Sequence, residues 1–352
     1  MNTADRAEAL ARAAAHFPEL SPPTARDLLE CVRLELGHEE ILDGFQLYGG
    51  HLSRVIAPRT ILHILSGNTP HAAFQTILRG LLLGSHNLIK FPSGGLGKLE
   101  GFSDLLPGAL ASKLECSRQL EEDWLRRAQA WVVFGSDATV AEFRAKCPPQ
   151  VSFQAHGHRV SLAIILGDPD LRSCALAARD VSLFEQQGCL SPQVIFVEGD
   201  ARRYAGVLSR EMEWFALESP SPPLSLAAQA EIATARADWE FRASGEHGIE
   251  VWKGQGWTVV FEDSAEFPAS PLHRFIFVKP LPADLSSCLV RFSNHLGGLG
   301  VWPGTPANAA RFSEYGFSRI CPVGRMQDAP FTWHSDSRQN LASLVRWVDF
   351  EP

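Results

Sequence analysis

The chain has 352 residues, 45% of them apolar and 20% charged, with a formal net charge of −8. That length predicts two domains, each with enough chain for a full core. The acidic balance leaves no basic excess to neutralise phosphates, which excludes nucleic acid and an anionic membrane as main partners.

The opening stretch, "MNTADRAEALARAAAHFPEL", spaces charges through an Ala-rich helical pattern and lacks the uninterrupted apolar core of a signal peptide. Nowhere do 18 apolar residues run together, so no membrane span and a cytoplasmic protein are expected. The seven cysteines (Cys31, Cys116, Cys147, Cys174, Cys189, Cys288 and Cys321) include no C-x-x-C pair and no tight His/Cys cluster. Scattered cysteines in odd number read as reduced thiols, with no metal centre.

From residue 59 the pattern alternates. "RTILHIL" (59–65) reads as a strand, "HAAFQTILRGLLLG" (71–84) as a helix with a glycine stop, and "HNLIKFP" (86–92) as the next strand. A helix is expected over 99–114, another over "LEEDWLRRAQ", a strand over 130–135 and a helix over 137–147. The basic cluster in "WLRRAQ" is a solvated helix face. Strands apolar on both faces and separated by single helices predict a parallel α/β sheet covered on two sides.

The second half opens with the strand "SLAIILG" (161–167). Asp168 and Pro169 read as the N-cap and first-turn proline of a helix reaching about residue 187, with Gly188 as its C′ residue. A strand over "VIFVE", a helix over "ARRYAGVLSREMEWFAL", a surface loop over "SPSPPLS" (219–225), an antiparallel pair "IEVWKG"/"WTVVFED" and a strand over 274–281 complete the pattern.

Two turns between strand and helix carry glycine: "SGNTP", with Gly67, and "GSDATV", with Gly135 and Ser136. Such turns lie at the carboxyl end of a parallel sheet, where free backbone N–H groups favour a pyrophosphate or merely cap a helix. "SGGLGKLEG" lacks P-loop spacing and carries Leu99 where a hydroxyl would hold magnesium. Cys189, in "FEQQGCLSPQ", reads two ways. Free cysteines are commonly packed in cores; a glycine-preceded loop between helix and central strand instead presents the thiol at a sheet edge. A helix carbonyl end just before it would disfavour a thiolate, so a base or the substrate itself would have to activate it.

"HGHRVSLAII…FEQQGCLSPQ", together with "SGNTP", "LIKFPS", "VVFGSD" and the closing "GFSRICPVGRM…FTWHSDSRQNLASLVRWVDFE", resembles the acyl-thioester reductase family typified by LuxC, a branch of the aldehyde dehydrogenase superfamily. The resemblance covers residues 59–200 and 270 to the end. It implies an aldehyde-dehydrogenase-like fold: a Rossmann-type dinucleotide-binding domain over 1–158, a catalytic cysteine domain over 159–335, and a C-terminal segment, 336–352, packing back on the core. The chain is shorter than typical members at its N-terminal side, so an additional substrate-shielding element is expected to be missing.

The resemblance also implies roles. Cys189 accepts the acyl group, and Asn68 with the Cys189 backbone N–H holds the oxyanion. Lys90 and Ser93 lie against the adenosine ribose, and Gly135 and Ser136 at the pyrophosphate. Gly94 and Gly95 stand where the superfamily often carries a glutamate, which favours NADPH, with NADH as the alternative. Where hydrolytic relatives place a water-activating glutamate, this chain has His156 and His158. His156 is the better candidate for thiol activation or aldehyde protonation; the plainer alternative is a polar residue at a strand end. The expected reaction is reduction of an acyl-CoA or acyl-carrier-protein thioester to an aldehyde, with an acyl-activating or acyl-transferring protein as a further partner and a homo-oligomer as the assembly. Rival readings are a cofactor-free acyltransferase or thioesterase, an acyl-phosphate or semialdehyde reductase, and a catalytically silent scaffold.

Overall fold

Thr24 and Asp27 form a reciprocal capping box at the start of one N-terminal helix, and Asn2 caps the other. They are α1 (Thr3–Ala14) and α2 (Ala25–Leu36) of a computed structural model that describes residues 1–67, 70–168 and 170–351. The chain forms two units, residues 1–158 with 329–352, and residues 159–328.

In the first unit, β1 (Gln46–Tyr48) and β2 (His51–Ile56) are followed by β3 (Thr60–Ile64), α3 (Pro70–Leu82) and β4 (His86–Lys90). The stretch expected as one helix over 99–114 is instead a 3-10 segment (Gly97–Leu105), a single turn, α4 (Gly108–Ala111), and a strand, β5 (Leu114–Ser117). Pro107, lacking an N–H and standing just before Gly108, prevents one continuous helix. Then come α5 (Glu122–Arg127), β6 (Ala130–Phe134), α6 (Asp137–Lys146) and β7 (Ser152–His156). Among the described residues the parallel sheet has the order β5-β4-β3-β6-β7. Connections run one way from β3 through β4 to β5 and the other way through β6 to β7, so the topological switch lies between β3 and β6.

The second unit holds β8 (Val160–Ile165), α7 (Leu171–Ser182), β9 (Pro192–Val197), α8 (Ala201–Glu218), α9 (Leu226–Gly245), β10 (Ile249–Gly254), β11 (Trp257–Glu262), β12 (Phe275–Pro280), β13 (Leu296–Trp302) and β14 (Arg319–Pro322). Their order is β10-β11-β12-β9-β8-β13-β14; β10 is antiparallel to β11 and the other pairings are parallel. Val259, Ile195, Ile276 and Val278 pack on one face of the sheet against α7 and α8, and Phe277, Phe196 and Val194 on the other face, with Trp239 of α9.

Two expectations for α7 need correction. Its N-cap is Asp170, whose carboxylate accepts from Ser173 N at 2.6 Å, not Asp168; Pro169 lies outside the described residues. It ends at Ser182, not near 187, because Phe184, Glu185 and Gln186 all take left-handed backbone (φ 53°, 55° and 60°). Gly188 is therefore not its C′ residue.

Back in the first unit, β15 (Arg346–Phe350) pairs antiparallel with β2 in the sheet β1-β2-β15. The returning segment is held by buried Glu35, whose carboxylate accepts from the backbone N of Asn340 at 2.9 Å and of Ala342 at 3.1 Å. Among the described residues no helix is long and apolar enough to cross a membrane.

Candidate active site

The first unit gathers one set of candidates at the carboxyl edge of its parallel sheet. Gly67 follows β3, Lys90 ends β4 with Ser93 three residues on, and Gly135 and Ser136 follow β6. They flank the strand switch, where open α/β sheets bind ligands. Ser136 is the N-cap of α6, its hydroxyl accepting from Thr139 N at 3.2 Å. A methyl group on Gly135 would come within 2.9 Å of the Thr139 side chain, so only glycine fits this turn. Asn68 lies outside the described residues.

Beside the turn after β4 stands a group the sequence did not reveal. Arg118, just past the end of β5, places Nη2 where a side chain on Gly95 would meet it at 3.0 Å. It pairs with Glu100 at 3.0 Å, and Glu100 also accepts from Leu96 N at 2.8 Å. A carboxylate is therefore present near this turn, but it comes from farther along the chain and is already tied to an arginine.

His156 ends β7 at the same edge. Its ring stacks on Phe134 with centroids 4.2 Å apart and planes 10° apart, and Nδ1 lies 2.6 Å from Asp336 Oδ2. Both side chains are nearly nine-tenths buried. Asp336 and Ser337 reach this position through left-handed backbone, φ 54° and 62°. A carboxylate on Nδ1 fixes the ring orientation and leaves Nε2 to exchange protons. Asp336 is the functional candidate that sequence reasoning missed.

The second unit presents Cys189 at the amino edge of its sheet. Three residues before β9, it is an exposed cysteine outside any disulfide. Burial, by contrast, pushes the thiols of Cys31 and Cys174 up to about 12 and that of Cys321 to about 11, which removes them as nucleophiles. α7 ends seven residues earlier, and the short 3-10 segment Leu183–Gln186 that follows it takes left-handed backbone, so Cys189 does not continue from the carbonyl end of the α-helix, as the sequence had suggested.

The loop bearing this cysteine is fixed from several sides. Ser161 Oγ donates to the Cys189 carbonyl at 2.6 Å and accepts from Gly298 N at 2.7 Å. Buried Gln186 donates to the carbonyls of Pro192 and Phe275 at 2.9 and 3.0 Å, and accepts from Phe275 N at 2.7 Å, joining the starts of β9 and β12. A second left-handed triplet, Leu272, His273 and Arg274 (φ 63°, 55° and 62°), lies against the first. His273 N donates to Glu185 O at 3.0 Å, and Arg274 pairs with Glu185 at 2.5 Å. Each left-handed non-glycine residue costs about 1–3 kcal/mol and persists only where its surroundings over-determine it. Six of them lie in the two loops that meet beside the exposed thiol.

A family model described as "Acyl-CoA reductase (LuxC)" matches residues 13–347. A long-chain acyl-protein thioester reductase of Aliivibrio fischeri is 23% identical over 344 residues, covering 92% of this chain and 70% of that protein. Among solved structures, a succinic semialdehyde dehydrogenase from Streptococcus pyogenes, in complex with NADP+, superimposes with a TM-score of 0.66 at 14% identity, over 99% of this chain and 90% of that one. An NAD-dependent benzaldehyde dehydrogenase from Corynebacterium glutamicum gives 0.60 at 14% identity, covering 100% and 86%. The fold is aldehyde-dehydrogenase-like, as the sequence motifs implied.

Proposed function

Because this chain belongs to the acyl-CoA reductase family typified by LuxC, we propose that it reduces an acyl thioester to an aldehyde through an acyl-enzyme on Cys189, with NADPH as the reductant. The observation that carries this reading is the exposed Cys189 thiol on a loop pinned by Ser161 and Gln186. The relatives' names supply the donor class: a long-chain acyl group on a protein thiol or on CoA.

The residues of the first unit fit a dinucleotide. The turns at Gly67 and Gly135 flank the strand switch, and the tight Gly135 turn keeps side chains away from a pyrophosphate. Lys90 and Ser93 would lie along the adenosine ribose. Arg118 beside Gly95 supports NADPH, since a guanidinium can pair with a 2′-phosphate in place of Glu100. Bound there, the nicotinamide would supply a hydride.

The chain's own groups do the rest. The Cys189 sulfur adds to the thioester carbonyl, the carbon–sulfur bond to the carrier breaks, and the carrier thiol departs. His156 is assigned the proton: it takes one at Nε2 as the thiol adds and returns it to the departing thiolate. The side-chain amide of Asn68 and the Cys189 backbone N–H hold the oxyanion, one such donor being worth about 3 kcal/mol. With a hydride on the carbonyl carbon, the bond from that carbon to the Cys189 sulfur would break, releasing the aldehyde and a Cys189 thiolate, which takes up a proton from solvent to restore the thiol. A histidine in place of a water-activating carboxylate suits transfer between thiols, because the acyl-enzyme must outlast water.

Incubation with a long-chain acyl-CoA and NADPH is expected to yield aldehyde and free CoA in equal amounts, with a transient acyl adduct on Cys189 by intact mass. Undiminished aldehyde formation by Cys189→Ala would overturn the reading.

A further inference from the structure

The second unit contains a cavity of about 420 Å³, within the size range of small-molecule sites. Its walls come from Glu185, the α8–α9 loop, one face of α9, the β10–β11 turn and His273. Two residues of this lining each carry a buried polar atom with no hydrogen-bond partner among the described residues: Glu185 Oε2 and Ser221 Oγ. The other Glu185 oxygen is held by Arg274, which is itself buried, so the carboxylate is fixed in place with one acceptor unspent. Leaving such atoms buried and unpaired is unfavourable. Both oxygens can accept from a ligand that brings N–H or O–H donors.

The remaining lining narrows the ligand. Leu224, Ile232, Ala233 and Ala237 form an aliphatic wall, and the one ring on the lining, the His273 imidazole, is engaged at its edge by Gln187. Nucleobases favour stacking surfaces, and a bare acyl chain would leave Glu185 and Ser221 unpaired. The Lys253 ammonium, paired with Glu240, marks the more exposed side. A ligand with amide or hydroxyl donors, a compact branched aliphatic group and a terminal phosphate matches all three features.

Location narrows it further. β9, β12 and β11 are parallel neighbours; Cys189 precedes the first, His273 the second, and the β10–β11 turn the third. Cavity and thiol thus share one edge of the sheet, two strand spacings or about 10 Å apart. Gln187, two residues before the thiol, bonds to the His273 ring at 3.2 Å.

We propose that this cavity binds the pantetheine arm of the acyl donor, with its amides on Glu185 and Ser221, its dimethyl-bearing carbon against Ile232 and Ala233, and its phosphate end toward Lys253. The assignment rests on Cys189 being the acyl acceptor, and it adds the part of the donor that is recognised. CoA and the prosthetic group of a carrier protein share this arm.

The test compares acylation of Cys189, by intact mass, from octanoyl-N-acetylcysteamine, octanoyl-pantetheine, octanoyl-CoA and octanoyl-carrier protein. Pantetheine is expected to outpace the truncated thioester by about tenfold or more, the effect of one or two hydrogen bonds plus aliphatic burial. Ala233→Phe, which fills the cavity, should bring that ratio near one, and Ser221→Ala should lower it in part. Comparison of the last two donors identifies the natural source of the arm. In Cys189→Ala, calorimetric binding of S-methyl-pantetheine requires no thiol chemistry and should be abolished by adding Ala233→Phe. Equal rates from the truncated and full arms, no S-methyl-pantetheine binding, or an Ala233→Phe defect confined to NADPH affinity would each overturn the assignment. Binding of S-methyl-pantetheine without any Cys189 adduct would uphold the cavity and overturn the acyl-enzyme.

Discussion

Asp336 Oδ2 stands 2.6 Å from Nδ1 of His156, although 180 residues separate them along the chain. An ionised carboxylate on Nδ1–H keeps the Nε2 lone pair available; an amide at 336 could donate instead and reverse the tautomer. Asp336→Asn is therefore expected to lower kcat about a hundredfold, within the range for general acid–base groups, with little change in KM for the thioester. Asp336→Glu should restore part of the loss. Steady-state kinetics across pH checks this, and wild-type kcat in Asp336→Asn would exclude the pair from proton transfer.

Gln186 secures three backbone groups at the starts of β9 and β12. Gln186→Ala leaves them buried and unpaired, so the second unit should lose about 2–4 kcal/mol of stability. Acylation of Cys189 should slow as well, because its loop is built on that amide. Urea titration and the acylation rate measure the two effects; loss of neither would show that the left-handed loops hold themselves.

Arg118 provides the check on the cofactor. Arg118→Ala should raise KM for NADPH about tenfold, the loss of one charge-assisted contact, while KM for NADH moves less than about twofold. Equal shifts for both would place the guanidinium away from any 2′-phosphate.

His63 is fully buried between β3 and α3, bonded to Asn87 at 2.9 Å and Thr76 at 3.2 Å. Burial pushes its imidazole down to about 4, with the Asn87 contact opposing in part. The folded value lies below the unfolded one, so this contribution is intact above pH 6.5 and fades as pH falls toward 4. Its size is roughly 3 kcal/mol over that interval. Unfolding free energies at pH 7.5 and 4.5 should differ less in His63→Gln than in wild type, by about that amount or somewhat under it. An identical difference would show that other groups carry the acid sensitivity.

The alternation of strands and helices was legible because buried strands such as β3 and β6 are apolar throughout and their helices keep a regular stripe. Other elements gave weaker signals. In α9 only Ile232 and Trp239 are buried, so its polar, Ala-rich sequence shows little stripe. β13, "LGGLGVW", resembles a loop by composition, yet it is an interior strand whose glycines make room: a methyl on Gly300 would meet Met326 Sδ at 2.7 Å, and one on Gly297 would meet Ser161 Oγ at 2.8 Å. The end of α7 was unreadable because its left-handed residues are Phe, Glu and Gln, with no glycine to announce them. Turn glycines and the thiol leave local marks in a sequence. A carboxylate that meets its histidine from the far end of the chain leaves none.

The path of the chain, out of the first unit at His158 and back at Ala329, sets an order of assembly during synthesis. When His156 leaves the ribosome its carboxylate has not been translated, and the whole thiol-bearing unit is made in between. At about 5–20 residues per second that interval is roughly 10–40 s, long enough for the second unit to fold as it emerges. The nascent protein would carry Cys189 in a folded unit before it carries the pairing of His156 with Asp336.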